Sequence, residues 1–230
     1  MSRLSNESRV PLLCYVTDRC SLSELQPAEQ LEILLSKIGA AAEAGLDWIQ
    51  IREKDFSGKE CSSLTREALL RAVKSSANKT SPTRIIVNDR LDVALAERAG
   101  GVHLGEKSLP RAEALRRVAS GGERKDFLVG VSCHSLEAAR VAASGGADYL
   151  FFGPVFATPS KAAFGGPQGL GQLAEVCRAV AIPVLAIGGI ALANAADCLS
   201  AGASGIAAIR LFQDARDISS LVQSLRKLKA

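Results

Sequence analysis

Aromatic residues are scarce in this chain, 4% of 230 residues, with one Trp and two Tyr beside seven Phe. That leaves no stacking platform for nucleic-acid bases. The charge excess is small as well, a formal +4. Several arginines and lysines fall at the chain ends or on predicted helix faces, so nucleic acid is not an expected partner. A modest positive excess suits phosphorylated substrates. Cys14, Cys20, Cys61, Cys133, Cys177 and Cys198 form no CxxC pair and no metal-ligand spacing. They read as small core residues of a reducing cytosol, with Cys133, between Ser132 and His134 at a strand end, the exception to watch. The apolar stretch 180–196 is interrupted by Pro183, Gly188 and Gly189, which argues for strand and turn and against a membrane span. The opening MSRLSNESRV carries no apolar h-region, so no export signal is expected, the location reads as cytoplasmic, and residues 1–10 should fray.

What is abundant is alternation. Hydrophobic residues make up 47% and charged residues 23%, enough for the full core of a single domain spanning 1–230. Apolar runs at 12–18, 47–54, 84–89, 101–106, 127–134, 148–156, 183–190 and 205–212 read as strands. Helical patterns follow at 27–45, 58–77, 90–99, 109–119, 135–144, 170–180, 192–201 and 217–228. Short apolar runs separated by ten to twenty or so residues of helical period are parallel βα units. Ala44-Gly45-Leu46-Asp47, Ala99-Gly100-Gly101, Gly145-Gly146-Ala147-Asp148 and Ala201-Gly202-Ala203 each lead from a helix into the next strand, near-copies of one turn.

Eight such units in this length predict a (β/α)8 TIM barrel, for which about 250 residues is typical. A doubly wound open sheet would need a phosphate-binding glycine cluster after the first strand, and Thr17-Asp18-Arg19-Cys20 supplies none. Polar residues gather just behind the strands, where this fold keeps its chemistry. They include Asp18, Gln50, Arg52, Lys54, Asn88, Asp89, His103, Ser132, His134, Thr158, Ser160 and Lys161.

Three places there suit an anion and a fourth a metal ion. Gly153-Pro-Val-Phe-Ala-Thr-Pro-Ser-Lys161 offers Thr158, Ser160 and Lys161 as donors in a loop that could close over a phosphate; a plain polar connector is the alternative. Stretch 161–171 is too rich in Gly and Pro to be helix. Gln50, Arg52 and Lys54 alternate onto one face of the second strand, where two buried cations require a compensating anion. Otherwise Arg52 and Lys54 pair with Glu53 or Asp55 at the rim. Asn88 and Asp89 end the third strand, where Asp89 either holds Mg²⁺ or caps the helix starting at Arg90. Gly188 and Gly189, with Ile209 and Arg210 near the eighth strand's end, occupy the usual phosphate position of the fold; the glycines could equally be turn formers. Alternation points Cys133 away from the mouth.

YVTD ending at Asp18, QIREKD at 50–55, VNDRLDVALA at 87–96, GVHLGE at 101–106, VGVSCHS at 129–135, DYLFFGPVFATPSK at 148–161, IPVLAIGGI at 182–190 and AGASGIAAI at 201–209 together resemble the thiamine phosphate synthase and TenI superfamily. The likeness runs from about residue 12 to 212. It implies a barrel that handles the thiazole half of thiamine. In the synthase branch, hydroxymethylpyrimidine diphosphate is joined to thiazole phosphate. Diphosphate leaves first, and the thiazole nitrogen captures the pyrimidine carbocation. By the resemblance Gln50 contacts the pyrimidine, and Arg52, Lys54, Asn88 and Lys161 hold the diphosphate. Thr158 and Ser160 take the loop's hydroxyl positions, Ser132 lines the pyrimidine side, Gly188 belongs to the thiazole phosphate site, and Asp89 carries Mg²⁺.

Two positions depart from the synthase pattern. Its second metal carboxylate follows the fourth strand, where Glu106-Lys107-Ser108 stands here. Ser108 lowers the expected affinity for Mg²⁺, unless Glu106 reaches in. Arg210 replaces a serine beside the thiazole phosphate, and either clamps that phosphate or fills its pocket. The alternative is a TenI-like thiazole tautomerase, in which His134 of Ser132-Cys-His-Ser135 moves a proton without metal; a non-catalytic thiazole or thiamine phosphate binder is a third reading. A homo-oligomer stays open.

Overall fold

The structure, a computed structural model, describes residues 10–22, 26–75, 82–105, 108–120, 126–158 and 166–228. Eight parallel strands close into a barrel in chain order: β1 Leu12–Val16, β2 Trp48–Ile51, β3 Arg84–Asn88, β4 Gly101–Leu104, β5 Leu128–Cys133, β6 Tyr149–Phe152, β7 Val184–Ile187 and β8 Gly205–Ala208. Around it run α1 Pro27–Ala44, α2 Gly58–Ser75, α3 Leu91–Ala96, α4 Arg111–Ser120, α5 Leu136–Ser144, α6 Gly169–Ala179, α7 Leu192–Ser200, α8 Arg210–Gln213 and α9 Ile218–Arg226, with a 3₁₀ turn at Arg19–Ser21. The (β/α)8 expectation holds. Among the described residues no helix is long and apolar enough to cross a membrane.

Period-2 alternation divides the strands between two cores. Cys14, Val16, Trp48, Ile86, Tyr149, Phe151, Leu185 and Ala207 fill the barrel interior, and Leu13, Tyr15, Ile49, Ile85, Leu150 and Ile206 face the helices. Three aromatics pack together inside it: the Trp48 and Tyr149 rings lie 4.5 Å apart and Tyr149 and Phe151 5.4 Å. Gly130, paired in register with Tyr149, leaves the space that this ring occupies, since a methyl group there would overlap it.

The repeated helix-to-strand turn has a physical purpose at two of its copies. Asp47 accepts the Leu13 N–H at 2.7 Å and Asp148 accepts the Val129 N–H at 2.8 Å, tying each new strand to the start of an earlier one. Asp47 also pairs with Arg226 of α9 at 2.9 Å.

Every strand stops short of its sequence pattern. β6 ends at Phe152 because Pro154 has no N–H for a ladder. The expected strand 205–212 ends at Ala208, and Arg210 opens the short α8, which buries Phe212 and Gln213. The helix expected over 90–99 ends at Ala96, since Arg98 turns with φ +53°. The stretch read as non-helical to 171 gives way to α6 at Gly169. Cys133 is buried facing the helices as expected, whereas Cys20 is exposed and not a core residue. Most of the expected frayed tail, residues 1–9, lies outside the described residues.

Candidate active site

At the carboxyl ends of β2 and β3 the sequence places Gln50 and Asn88 in inward register, two residues beyond Trp48 and Ile86. Gln50 is 2% exposed and donates Nε2–H to Asn88 Oδ1 at 2.8 Å, while its Oε1 meets no partner among the described residues. Asn88 in turn donates Nδ2–H to Asp89 Oδ2 at 2.8 Å. Asp89 leaves the strand with φ +60°, a left-handed turn that Asp tolerates better than most residues. That turn brings its other carboxylate oxygen to the Gly105 N–H at 3.3 Å and to the Ser108 hydroxyl. Helix α3 has Arg90 at its N-cap and no side-chain cap. The capping reading of Asp89 is therefore overturned.

The chemistry continues across β4 and β5. Asn88 pairs with His103 in the ladder, and His103 with Gly130. The buried His103 ring meets the Tyr149 hydroxyl at 3.1 Å through Nδ1 and Ser132 Oγ at 2.9 Å through Nε2. Burial pushes its pKa down to about 3, with Asp89 opposing and Arg52 reinforcing the fall, so the imidazole is neutral. Among the described residues the Tyr149 hydroxyl has no other acceptor, so its proton goes to Nδ1. The ring proton then sits on Nε2 and is given to Ser132 Oγ, which leaves the serine's own hydrogen free for a ligand.

Arg52 and Lys54 do not lie on a strand face: β2 ends at Ile51 and Lys54 is exposed. The expectation of two buried cations fails for that reason. The rim-pairing alternative fails too, because the carboxylates are taken. Asp55 pairs with Arg19, whose guanidinium also lies 4.4 Å above the Phe56 ring. Buried Glu53 accepts the Thr17 hydroxyl at 2.6 Å and the Arg19 N–H at 2.9 Å; burial raises its pKa, and these bonds oppose the rise. Thr17 Oγ1 also accepts the Arg52 N–H at 2.9 Å, fixing the backbone from which this cation projects. Arg52 and Lys54 thus have no acidic partner among the described residues.

On the opposite side, Gly188 and Gly189 turn with φ +93° and +65°, and a side chain on either would strike the loop after β6. That loop is tied down by the Val155 N–H to Ile187 O at 2.9 Å and the Phe156 N–H to Gly188 O at 3.0 Å. Half-buried Thr158 follows directly from it. Half-buried Ile209 packs on the interior cluster, and Arg210 is exposed at the start of α8, so it does not fill a pocket. His134 Nδ1 bonds the Gly153 carbonyl, and Ser135, not His134, caps α5 through the Ala138 N–H at 3.1 Å. Glu106, Ser160 and Lys161 lie outside the described residues.

The structure therefore joins Gln50, Asn88, Asp89, His103 and Ser132 along neighbouring strand ends. Sequence reasoning set His103 among the polar residues at the mouth but gave it no role, and it missed Tyr149. The inward register of His103 between Asn88 and Gly130 was a usable signal, but nothing local marks the Tyr149 hydroxyl. The part of Ser108 as a donor to Asp89 was also unread.

A parallel barrel whose mouth holds free cations, a carboxylate and unspent polar groups belongs with the TIM-barrel enzymes that act on small anionic substrates. Comparison narrows that class. The family model described as Thiamine monophosphate synthase matches residues 22–212, and the chain belongs to this family. The Thiamine-phosphate synthase of Methanoculleus marisnigri is 44% identical over 186 residues, covering 81% of this chain and 83% of that protein. The Thiamine-phosphate synthase of Roseiflexus sp. is 40% identical over 215 residues, covering 94% and 84%. A solved structure described as Thiamine phosphate pyrophosphorylase from Pyrococcus furiosus superimposes with a TM-score of 0.77 at 31% identity, covering 96% of each chain.

Proposed function

We propose that this barrel is the transferase of thiamine biosynthesis that joins hydroxymethylpyrimidine diphosphate to thiazole phosphate and releases diphosphate. The observation that carries the reading is the state of Arg52 and Lys54: the carboxylates adjacent in sequence, Glu53 and Asp55, are occupied by Thr17 and Arg19. Two cations kept free at a barrel mouth call for a polyanion.

In this reading Arg52, Lys54, Asn88 and Lys161 hold the diphosphate, and these cations meet the negative charge that grows on it during departure. Gln50 and Ser132 orient the pyrimidine from the barrel interior. Thr158, Ser160, Gly188, Gly189, Ile209 and Arg210 surround the thiazole phosphate. Mg²⁺ takes hard oxygen ligands, commonly one or two carboxylates with substrate phosphates and waters. Asp89, with the Ser108 hydroxyl against it, fits that donor set, and Glu106 is the candidate for a second carboxylate. When bound there, the metal would neutralise charge on the diphosphate.

The test is an assay of purified protein with both substrates and Mg²⁺, following thiamine phosphate and diphosphate. Formation of both in equal amounts supports the transfer. Metal-independent isomerisation of the thiazole carboxylate phosphate, without transfer, would favour the tautomerase, and ligand affinity without turnover a binder.

A further inference from the structure

We propose that Asp89, acting through Asn88, fixes the amide of Gln50 with its carbonyl toward the mouth. The site would then select a ring that presents a hydrogen-bond donor and reject the same ring bearing an acceptor. An amide has one accepting end and one donating end, and the two exchange by a half-turn that costs almost no shape. Here the choice is forced from outside. The carboxylate of Asp89 accepts only, as its neighbours reflect: the Gly105 N–H at 3.3 Å and the Ser108 hydroxyl reach one oxygen, and Asn88 Nδ2 reaches the other at 2.8 Å. With its nitrogen committed to Asp89, Asn88 turns Oδ1 toward β2. Gln50 must then offer Nε2, at 2.8 Å, and its own Oε1 is left over. That oxygen sits on a side chain only 2% exposed and has no partner among the described residues. A buried acceptor in this state is satisfied by a ligand donor and penalised by a ligand acceptor. Asp89 is in this respect a positioning residue for Gln50, separate from any contact with metal.

The inference rests on the pyrimidine reading of the mouth, and the experiment distinguishes the two. Ligand-observed NMR titrations in excess chelator would compare unphosphorylated 4-amino-5-hydroxymethyl-2-methylpyrimidine with its 4-oxo analogue, for the wild type, Asp89→Asn and Asn88→Ala. Melting curves would check that each variant is folded. The wild type should prefer the amino ring by on the order of 10–100-fold, the size expected for one mismatched buried group. In Asp89→Asn the relay accepts either direction, so the preference should fall to about threefold or less. Asn88→Ala, which removes the middle member, should lose it equally and serves if Asp89→Asn does not fold. A preference that persists at the wild-type ratio without metal in the folded variants overturns the relay alone. Failure of the wild type to bind either ring overturns the pyrimidine reading and the relay with it.

Discussion

Nε2 of His103 lies 2.9 Å from Oγ of Ser132, which makes a buried neutral imidazole the support of a hydroxyl at the barrel mouth. The unfolded chain protonates this ring near its ordinary value of about 6.5, the folded chain only at about 3. The fold therefore has the full benefit of the neutral ring above about pH 6.5 and loses it as pH falls toward 3. The loss should be at most about 1.4 kcal/mol per pH unit. Denaturant unfolding of the wild type and His103→Gln at about pH 7 and pH 4.5 should show the variant's stability falling less steeply on acidification. Parallel pH profiles would refute the buried neutral histidine.

Metal dependence tests Asp89. Activity should require Mg²⁺ and collapse in Asp89→Asn. Ser108 offers a hydroxyl where a carboxylate would bind more strongly, so Ser108→Asp should lower the Mg²⁺ concentration giving half-maximal rate. Undiminished transfer in excess chelator would count against diphosphate displacement aided by metal.

Lys161 lies in a stretch that has no acidic residue from 156 to 171. Lys161→Ala should slow turnover by about 10²–10³-fold, as for the loss of one preorganised donor to a developing anion, with an unchanged melting temperature. Unchanged steady-state kinetics would remove this lysine from the diphosphate site.

His134 bonds the Gly153 carbonyl, and α5 has its own cap in Ser135. In the transfer reading, where it would only line the pyrimidine pocket, it should affect substrate affinity more than chemistry. His134→Asn should raise the pyrimidine KM with kcat nearly constant. A fall of about 10²–10⁴ in an isomerisation rate, with a titration near neutral pH, would instead mark a general acid–base.

Much of this molecule was legible in the chain itself. Strand and helix periods are local, so the eight βα units, and with them the closed order from β1 to β8, could be read before any contact was known. The residues that close the mouth were legible for the same reason: Gln50, Asn88 and Ser132 fall at strand ends in inward register. Strand length was less legible. Whether a strand continues past Phe152 or Ala208 depends on whether a neighbour has a free edge there, and Pro154 and the burial of Phe212 decide that. The partners of polar groups were not legible at all. Arg19 takes Asp55 from 36 residues away, and Gln50 meets Asn88 across 38. His103 meets Tyr149 across 46. Such pairs form because barrel register sets unlike residues side by side, and a buried polar group binds whichever partner that register supplies. The sequence by itself thus determined which groups stand at the mouth. Only the tertiary structure decided which of them are spent on one another, and which, like Gln50 Oε1, meet no partner among the described residues.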